Sequence, residues 1–93
     1  MWPRTYHYFV HQVVHGEDLD PRCPAGGVAV RTWSELGAVD KGFREAYRRF
    51  PCKPMEVLVL IPARTATDRR HVDMMDRDWE RAFRKFEQLM TVG

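Results

Sequence analysis

The chain has 93 residues, of which 44% are hydrophobic, and its 15 basic and 13 acidic residues give a formal net charge of +2. This length supports one hydrophobic core, so we expect a single domain over residues 1–93. The small net charge excludes a strong overall field that would attract nucleic acid or an anionic membrane. No apolar run approaches the ~18 residues that cross a bilayer, and the N-terminus lacks the pattern of a signal peptide, so we expect a cytoplasmic protein without membrane contact.

Aromatic and β-branched residues dominate the segment from Thr5 to His15 and predict a first strand. Alternation divides this strand into two faces. The face better suited to the core consists of Tyr6, Tyr8, Val10, Gln12 and Val14, and the opposite face consists of His7, Phe9, His11, Val13 and His15. Residues 16–27 are predicted to form a long loop, and Val28 to Trp33 the returning strand.

A first helix is predicted between Ser34, a favourable N-cap, and Pro51, which ends it. The apolar residues that recur at helical spacing are Leu36, Val39, Phe43, Tyr47 and Phe50. An almost unbroken apolar run from Met55 to Ile61 then predicts a third strand that is central or covered on both faces.

The longest predicted element is an amphipathic helix over residues 69–91, with Asp68 as its cap. Its apolar stripe consists of Val72, Met75, Trp79, Ala82, Phe86 and Leu89. Acidic residues fall mainly in its first half and basic residues in its second, which is the order that the helix dipole favours. We expect this helix to be the main one packed on the sheet, with Trp79 and Phe86 in the core.

The predicted fold is an α+β domain of order β-β-α-β-α, with a three-stranded mixed sheet and both helices packed on one face. The helical crossover makes the second and third strands run in the same direction, and the first strand can lie between them. Residues 5–62 form the sheet and the first helix, and residues 69–91 form the C-terminal helix. The histidine-rich face of the first strand is then exposed or covered by a partner.

This histidine-rich face is the predicted binding surface, and its members are His7, Phe9, His11 and Val13. An aromatic residue in a semi-polar patch is typical of an interface anchor, either for another protein or for a second copy in a homodimer. A metal ion held by the histidines alone is disfavoured, because residues four apart in a strand are separated by about 13 Å.

Basic residues gather on the outer side of the first helix, where Arg44 and Arg48 are further candidates for binding. Such a group is able to follow phosphates, so nucleic-acid binding is a second hypothesis. Acidic residues are interspersed among these arginines, however, and alternating charge is more often a solvated helix face. The first hypothesis remains a protein-binding surface.

Two cysteines, Cys23 and Cys52, are predicted to lie near His15 at one end of the sheet. A zinc site, a disulfide or a thiol paired with a histidine base all remain open. No complete ligand set and no catalytic signature surround them. We therefore expect free thiols, no metal, no cofactor and no catalytic residue, with a small thiol- or metal-dependent enzyme as the third hypothesis.

A Tyr-Phe-Val opening strand, a polar hairpin that contains glycine, a short helix and a Val-Leu-Val-Leu strand follow one another within residues 5–62. This pattern resembles that of small orphan proteins of phage and prophage genomes. The resemblance implies a non-enzymatic binding protein that acts on a host complex as an inhibitor or adaptor, such as an anti-defence or anti-CRISPR factor. It implies no catalytic residue.

Overall fold

The computed structural model describes the backbone of residues 2–91 and the side chains of residues 2–81. Its elements are, in order, β1 (Arg4–Val14), β2 (Gly26–Thr32), α1 (Glu35–Arg49), β3 (Glu56–Pro62) and α2 (Ala66–Thr91). The predicted α+β domain and its order β-β-α-β-α are confirmed, and the boundaries of the elements are shifted by a few residues.

The central strand of the sheet is β1, with β2 on one side and β3 on the other. Both neighbours pair with it in the antiparallel sense, so that His7 faces Ala29 on β2 and Phe9 faces Ile61 on β3. The outer strands therefore run in the same direction, as predicted, but they do not touch each other. The predicted mixed sheet is wrong, because the central position of β1 leaves no parallel pair.

The two helices lie on opposite faces of this sheet. On one face, a Cβ atom at Gly42 of α1 would lie 3.1 Å from the Leu60 side chain and 3.6 Å from that of Tyr8. On the other face, a Cβ atom at Gly27 of β2 would lie 3.1 Å from the backbone Cα of Val72 in α2. Successive side chains of a strand point to opposite faces, so α1 covers the Tyr8 face and α2 the His7 face.

The prediction that both helices share one face is wrong, and the width of the sheet gives the reason. Strands lie about 4.8 Å apart, so three of them make a sheet about 10 Å wide, which is close to the diameter of one helix with its side chains. Each face therefore has room for one helix. The second face also carries apolar side chains, such as Phe9 and Ile61, that are stabilised when a helix covers them.

The main core lies between α1 and the sheet. Its buried members are Tyr8, Val10, Val28, Val30, Ala38, Ala46 and Leu58. The helix presents small residues to the sheet, with Gly42 between Ala38 and Ala46, which allows close approach. The large apolar residues of the predicted α1 stripe flank this contact, and Leu36 and Tyr47 are exposed.

Hydroxyl side chains cap both helices. The Ser34 Oγ atom accepts a hydrogen bond of 3.1 Å from the Gly37 N–H, which confirms the predicted start of α1. The Thr65 Oγ1 atom accepts one of 3.0 Å from the Asp68 N–H. The cap of α2 is therefore Thr65, and the prediction of Asp68 as the cap is wrong. The Asp68 carboxylate lies in the first turn, where the helix dipole favours it.

The helix α2 contacts two strands of the sheet and the end of α1. Near its start the His71 ring contacts Phe9 of the central strand, with ring centroids 5.8 Å apart. One residue later Val72 lies on Gly27 of the edge strand β2, and Trp79 reaches the end of α1. With 26 residues, α2 is about 39 Å long. The predicted core residue Phe86 lies outside the residues whose side chains are described.

The buried Arg49 links α1 to α2 through hydrogen-bonded ion pairs. The Arg49 Nε atom donates to Glu45 at 2.9 Å within α1, and its Nη1 atom donates to Asp76 of α2 at 2.7 Å. The guanidinium carbons of Arg48 and Arg49 lie 5.1 and 4.9 Å from the ring centroid of Trp79. Trp79, predicted in the core, is therefore a partly buried platform for two cations. We call Glu45, Arg48, Arg49, Asp76 and Trp79 the arginine clasp.

Candidate functional site: an exposed tryptophan surface

The predicted binding face of β1 is covered by the chain itself. His11 is 3% exposed, because the loop between β1 and β2 and the start of α2 surround it together with Phe9. His7 is largely buried, and its Nε2 atom donates a hydrogen bond of 2.9 Å to Asp73 of α2. Phe9 and Val13 are half-buried. The prediction that this face is exposed or covered by a partner is wrong, because it assumed that α2 lay on the other side.

Burial also fixes the charge state of His11. Removal from water disfavours the charged imidazolium, so burial lowers the His11 pKa, although Asp20 of the loop opposes this effect. Burial therefore favours the neutral form of the ring. Neither His7 nor His11 offers an accessible imidazole to a large partner, and their binding role remains a prediction without an open surface to support it.

The basic face of α1 is neutralised within the helix. Arg44 pairs with Asp40, and Arg48 pairs with Glu45 and also lies over Trp79. Hydrogen bonding from Arg48 lowers the pKa of Glu45, which keeps that carboxylate charged beside the arginine. Paired guanidinium groups are poorly placed to follow a phosphate backbone, so the structure gives little support to nucleic-acid binding by Arg44 and Arg48.

The two thiols are free and are not activated. Cys23 is exposed in the loop after β1, where the negative charge of Asp20 raises its pKa. Burial raises the pKa of Cys52, whose Sγ lies 3.8 Å from the Phe50 carbonyl oxygen. A thiol attacks as the thiolate, so these shifts disfavour nucleophilic chemistry at neutral pH. Within the described side chains, histidine, cysteine and carboxylate groups form no cluster of three that would hold a metal ion.

Side chains of α1 partly close both edges of the sheet. The Lys41 Nζ atom donates to the Arg31 carbonyl of β2 at 3.2 Å, and the Tyr47 hydroxyl accepts from the Leu58 N–H of β3 at 3.1 Å. Groups occupied in this way are not available to an added strand. Each edge therefore has one backbone group fewer with which to pair with an added strand.

Two cavities flank α2. One, of about 320 Å³, lies between α2 and the end of α1, with Phe50, Met75 and Trp79 among its lining residues. The other, of about 340 Å³, lies between the β1–β2 loop and α2, above His11. These volumes fall at the lower end of the range for small-molecule sites, so they are secondary candidates.

The strongest candidate site is a group of exposed apolar side chains at one end of the sheet. Trp2 is 85% exposed, Leu36 82% and Trp33 65%. Arg4, the first residue of β1, pairs with Thr32, the last residue of β2. Trp2, two positions before Arg4, and Trp33, directly after Thr32, therefore lie at the same end of the sheet. The first turn of α1, with Leu36, begins there as well. We call Trp2, Trp33 and Leu36 the tryptophan surface.

Local sequence explains why these side chains are presented to solvent. Trp33 lies between the last residue of β2 and the N-cap Ser34, where the chain leaves the sheet and turns into α1. Pro3 restricts the residue before it, Trp2, to extended backbone. Isolated exposed apolar residues are ordinary, and Val14, Met55 and Val57 are exposed at the opposite end of the sheet. Two tryptophans and a leucine with larger exposed fractions at one end make that end the stronger candidate for an interaction site.

Sequence reasoning missed this surface. It assigned Trp33 to the end of the second strand and Leu36 to the apolar stripe of the first helix. The available signal was the position of Trp33 directly before a helix cap and of Leu36 in the first turn, since both positions project beyond the sheet. The pairing of Trp2 with this end depends on the register, which the sequence alone leaves undetermined.

Comparisons with known proteins reveal no relative: no family model, no curated protein and no solved structure matches the chain. Within the described residues, none of the helices combines the length and apolar character needed to span a membrane. Function must therefore be argued from the chemistry of the surface itself.

Proposed function

We propose that this chain is a small non-enzymatic protein-binding protein whose binding surface is the tryptophan surface. The observation that supports this proposal is the location of Trp2, Trp33 and Leu36 at one end of the sheet, each with most of its surface in water. Tryptophan is enriched among the residues that dominate binding energy at protein interfaces. Its burial against a partner removes a large apolar area from water, which favours association.

The absence of enzymatic activity is part of the same proposal. Both thiols have raised pKa values, and the buried His11 lies beneath the loop and α2 and makes no hydrogen bond to a nucleophile within the described residues. The resemblance of residues 5–62 to phage orphan proteins favours a host protein as the partner. In that setting the chain acts as an inhibitor or adaptor of a host complex.

Affinity capture from a lysate of the native host, in parallel without and with nuclease treatment, tests this proposal. The baits are the wild-type chain, the double variant Trp33→Ala with Leu36→Ala, and a matched control, Met74→Ala with Val57→Ala, which removes exposed apolar side chains elsewhere. We expect wild type and control to recover the same protein and the tryptophan-surface variant to lose it, with an affinity at least tenfold weaker, or about 1.4 kcal/mol.

Circular dichroism and thermal unfolding of the three baits establish that each is folded. Recovery of the same protein in equal amounts by all three baits would place the binding surface elsewhere. Recovery that disappears on nuclease treatment would favour nucleic acid over protein as the partner.

A further inference from the structure

Several arginines lie at the same end of the sheet as the tryptophan surface. Arg4 begins β1, and Arg31 lies one residue before the end of β2, opposite Thr5. Arg64 follows β3 at the same end of the sheet, because the N–H of the preceding residue, Ala63, donates to the His7 carbonyl at 2.9 Å. The strands β1 and β2 and the loop after β3 thus each contribute an arginine at the end that carries Trp2 and Trp33.

These arginines differ from those of α1 in their partners. Within the part of the chain whose side chains are described, Arg4, Arg31 and Arg64 form no ion pair. A fourth guanidinium belongs to the same end, since Arg69 donates to the Arg64 carbonyl at 2.9 Å. Two carboxylates oppose them, Glu35 in the first turn of α1 and Asp68 in the first turn of α2. The balance of charge around the surface is positive.

From this arrangement we infer that the tryptophan surface binds an acidic protein, with carboxylates of the partner facing the arginines and apolar groups facing the indoles. The inference rests on the proposed function and adds the chemistry of the partner. An apolar centre with a polar rim is the usual anatomy of a protein interface. Guanidinium groups bind carboxylates through paired hydrogen bonds, which adds specificity as well as attraction.

A second copy of the chain fits this surface poorly. In a two-fold contact the same patch faces itself, so a patch with net positive charge would meet a second patch of the same net charge. Like charges that face each other across an interface are unfavourable, and Glu35 and Asp68 are too few to compensate all four.

Nucleic acid also fits less well than an acidic protein. Proteins that bind single strands combine aromatic platforms with a basic groove that follows the backbone. The further arginines along α1 are already paired with acids.

The test measures the affinity of the purified protein recovered by wild-type capture, by calorimetry at about 50 mM and about 300 mM NaCl. The charge variant combines Arg4→Gln, Arg31→Gln and Arg64→Gln, and the single variant Arg31→Gln serves if the triple variant does not fold. The control combines Arg44→Gln, Lys53→Gln and Arg81→Gln, which removes the same number of positive charges at exposed positions elsewhere.

We expect the charge variant to bind at least about tenfold more weakly than wild type at low salt and the control to change by less than about twofold, with a smaller difference at high salt. Equal losses in both variants would attribute the effect to net charge and overturn the inference. Unchanged affinity in the charge variant, together with loss of binding in the Trp33→Ala and Leu36→Ala variant, would overturn the acidic partner but leave the proposed function standing.

If the Trp33→Ala and Leu36→Ala variant binds normally, the proposed function fails and the inference fails with it. Two further measurements test whether nucleic acid or a second copy of the chain binds the tryptophan surface instead. An oligothymidylate of about 20 nucleotides that bound with a Kd below about 10 µM and lost affinity on Trp33→Ala would overturn the acidic protein in favour of nucleic acid. A dimer in analytical ultracentrifugation that Trp33→Ala dissociates would overturn it in favour of a second copy.

Discussion

The contact between Gly27 and α2 provides a direct test of the opposite-face packing of the helices. A Cβ atom at Gly27 would lie 3.1 Å from the Val72 Cα and 3.2 Å from the Val72 carbonyl oxygen. Ordinary van der Waals contacts of a Cβ atom begin at 3.4 Å, and both of these neighbours belong to the helix backbone. The Gly27→Ala variant must therefore displace the helix, so we expect the free energy of unfolding to fall by about 1–3 kcal/mol, the range for overpacked cores.

The matched control is Gly42→Ala on the opposite face. Its Cβ atom would lie 3.1 Å from Cδ1 of Leu60, a terminal methyl group that is able to rotate away. Alanine also favours a helix interior over glycine by about 1 kcal/mol. We therefore expect the free energy of unfolding of Gly42→Ala to be unchanged or higher than that of wild type.

Urea denaturation followed by far-UV circular dichroism measures all three chains under one condition. The expected order of stability places Gly27→Ala below wild type and Gly42→Ala at or above it. A Gly27→Ala variant as stable as wild type would refute the packing of α2 on this face. A large loss in Gly42→Ala alone would show that α1, rather than α2, makes the tight contact with the sheet.

Two further predictions concern buried polar groups. Arg49→Ala leaves the half-buried Asp76 without its ion-pair partner and removes one of the two arginines that pair with Glu45, so we expect the free energy of unfolding to fall by about 3 kcal/mol in urea denaturation. Arg44→Ala breaks an exposed pair and should leave stability nearly unchanged; equal effects would contradict the clasp. Burial lowers the pKa of His11, so below pH about 6.5 the unfolded chain binds more protons at this residue than the folded chain does. The free energy of unfolding is therefore highest above pH about 6.5 and falls as the pH is lowered. Comparison of urea midpoints at pH about 7.5 and about 5.5 should show a smaller change in His11→Gln than in wild type and an undiminished change in the exposed control His15→Gln.

The order of the elements was predictable because each carries a local signal. Ser34 bonds to the Gly37 N–H and begins α1 where the sequence indicates. The aromatic and β-branched residues of β1 form the central strand, and the apolar run of β3 pairs with it. Helical periodicity in the last quarter of the chain identified α2, although Thr65 rather than Asp68 caps it.

The placement of α2 was not predictable from these local signals. Periodicity shows that a helix has an apolar side, but it does not show which of the two faces of the sheet this helix covers. The deciding feature is a backbone contact at Gly27, a residue that the sequence suggested only as the end of a loop. This error placed the predicted binding residues, such as His11, on an open face, whereas they lie beneath α2 and the β1–β2 loop.

The arginine clasp illustrates a second limit of sequence reasoning. Arg48 and Arg49 follow one another on α1, and Trp79 is thirty residues further along the chain. Their contact depends on the packing of α2 beside the end of α1, which no local pattern encodes. The same tertiary arrangement buries Arg49, whereas Arg48 stays exposed beside the indole.

Fluorine NMR of the chain labelled with 5-fluorotryptophan tests the central claim most directly, because the chain contains three tryptophans in two different environments. Two of them, Trp2 and Trp33, belong to the tryptophan surface, and Trp79 belongs to the arginine clasp. Tryptophan-to-phenylalanine variants assign the three signals. On addition of the captured partner, we expect the signals of Trp2 and Trp33 to shift or broaden while that of Trp79 is unchanged. A shift of the Trp79 signal alone would contradict the proposed binding surface.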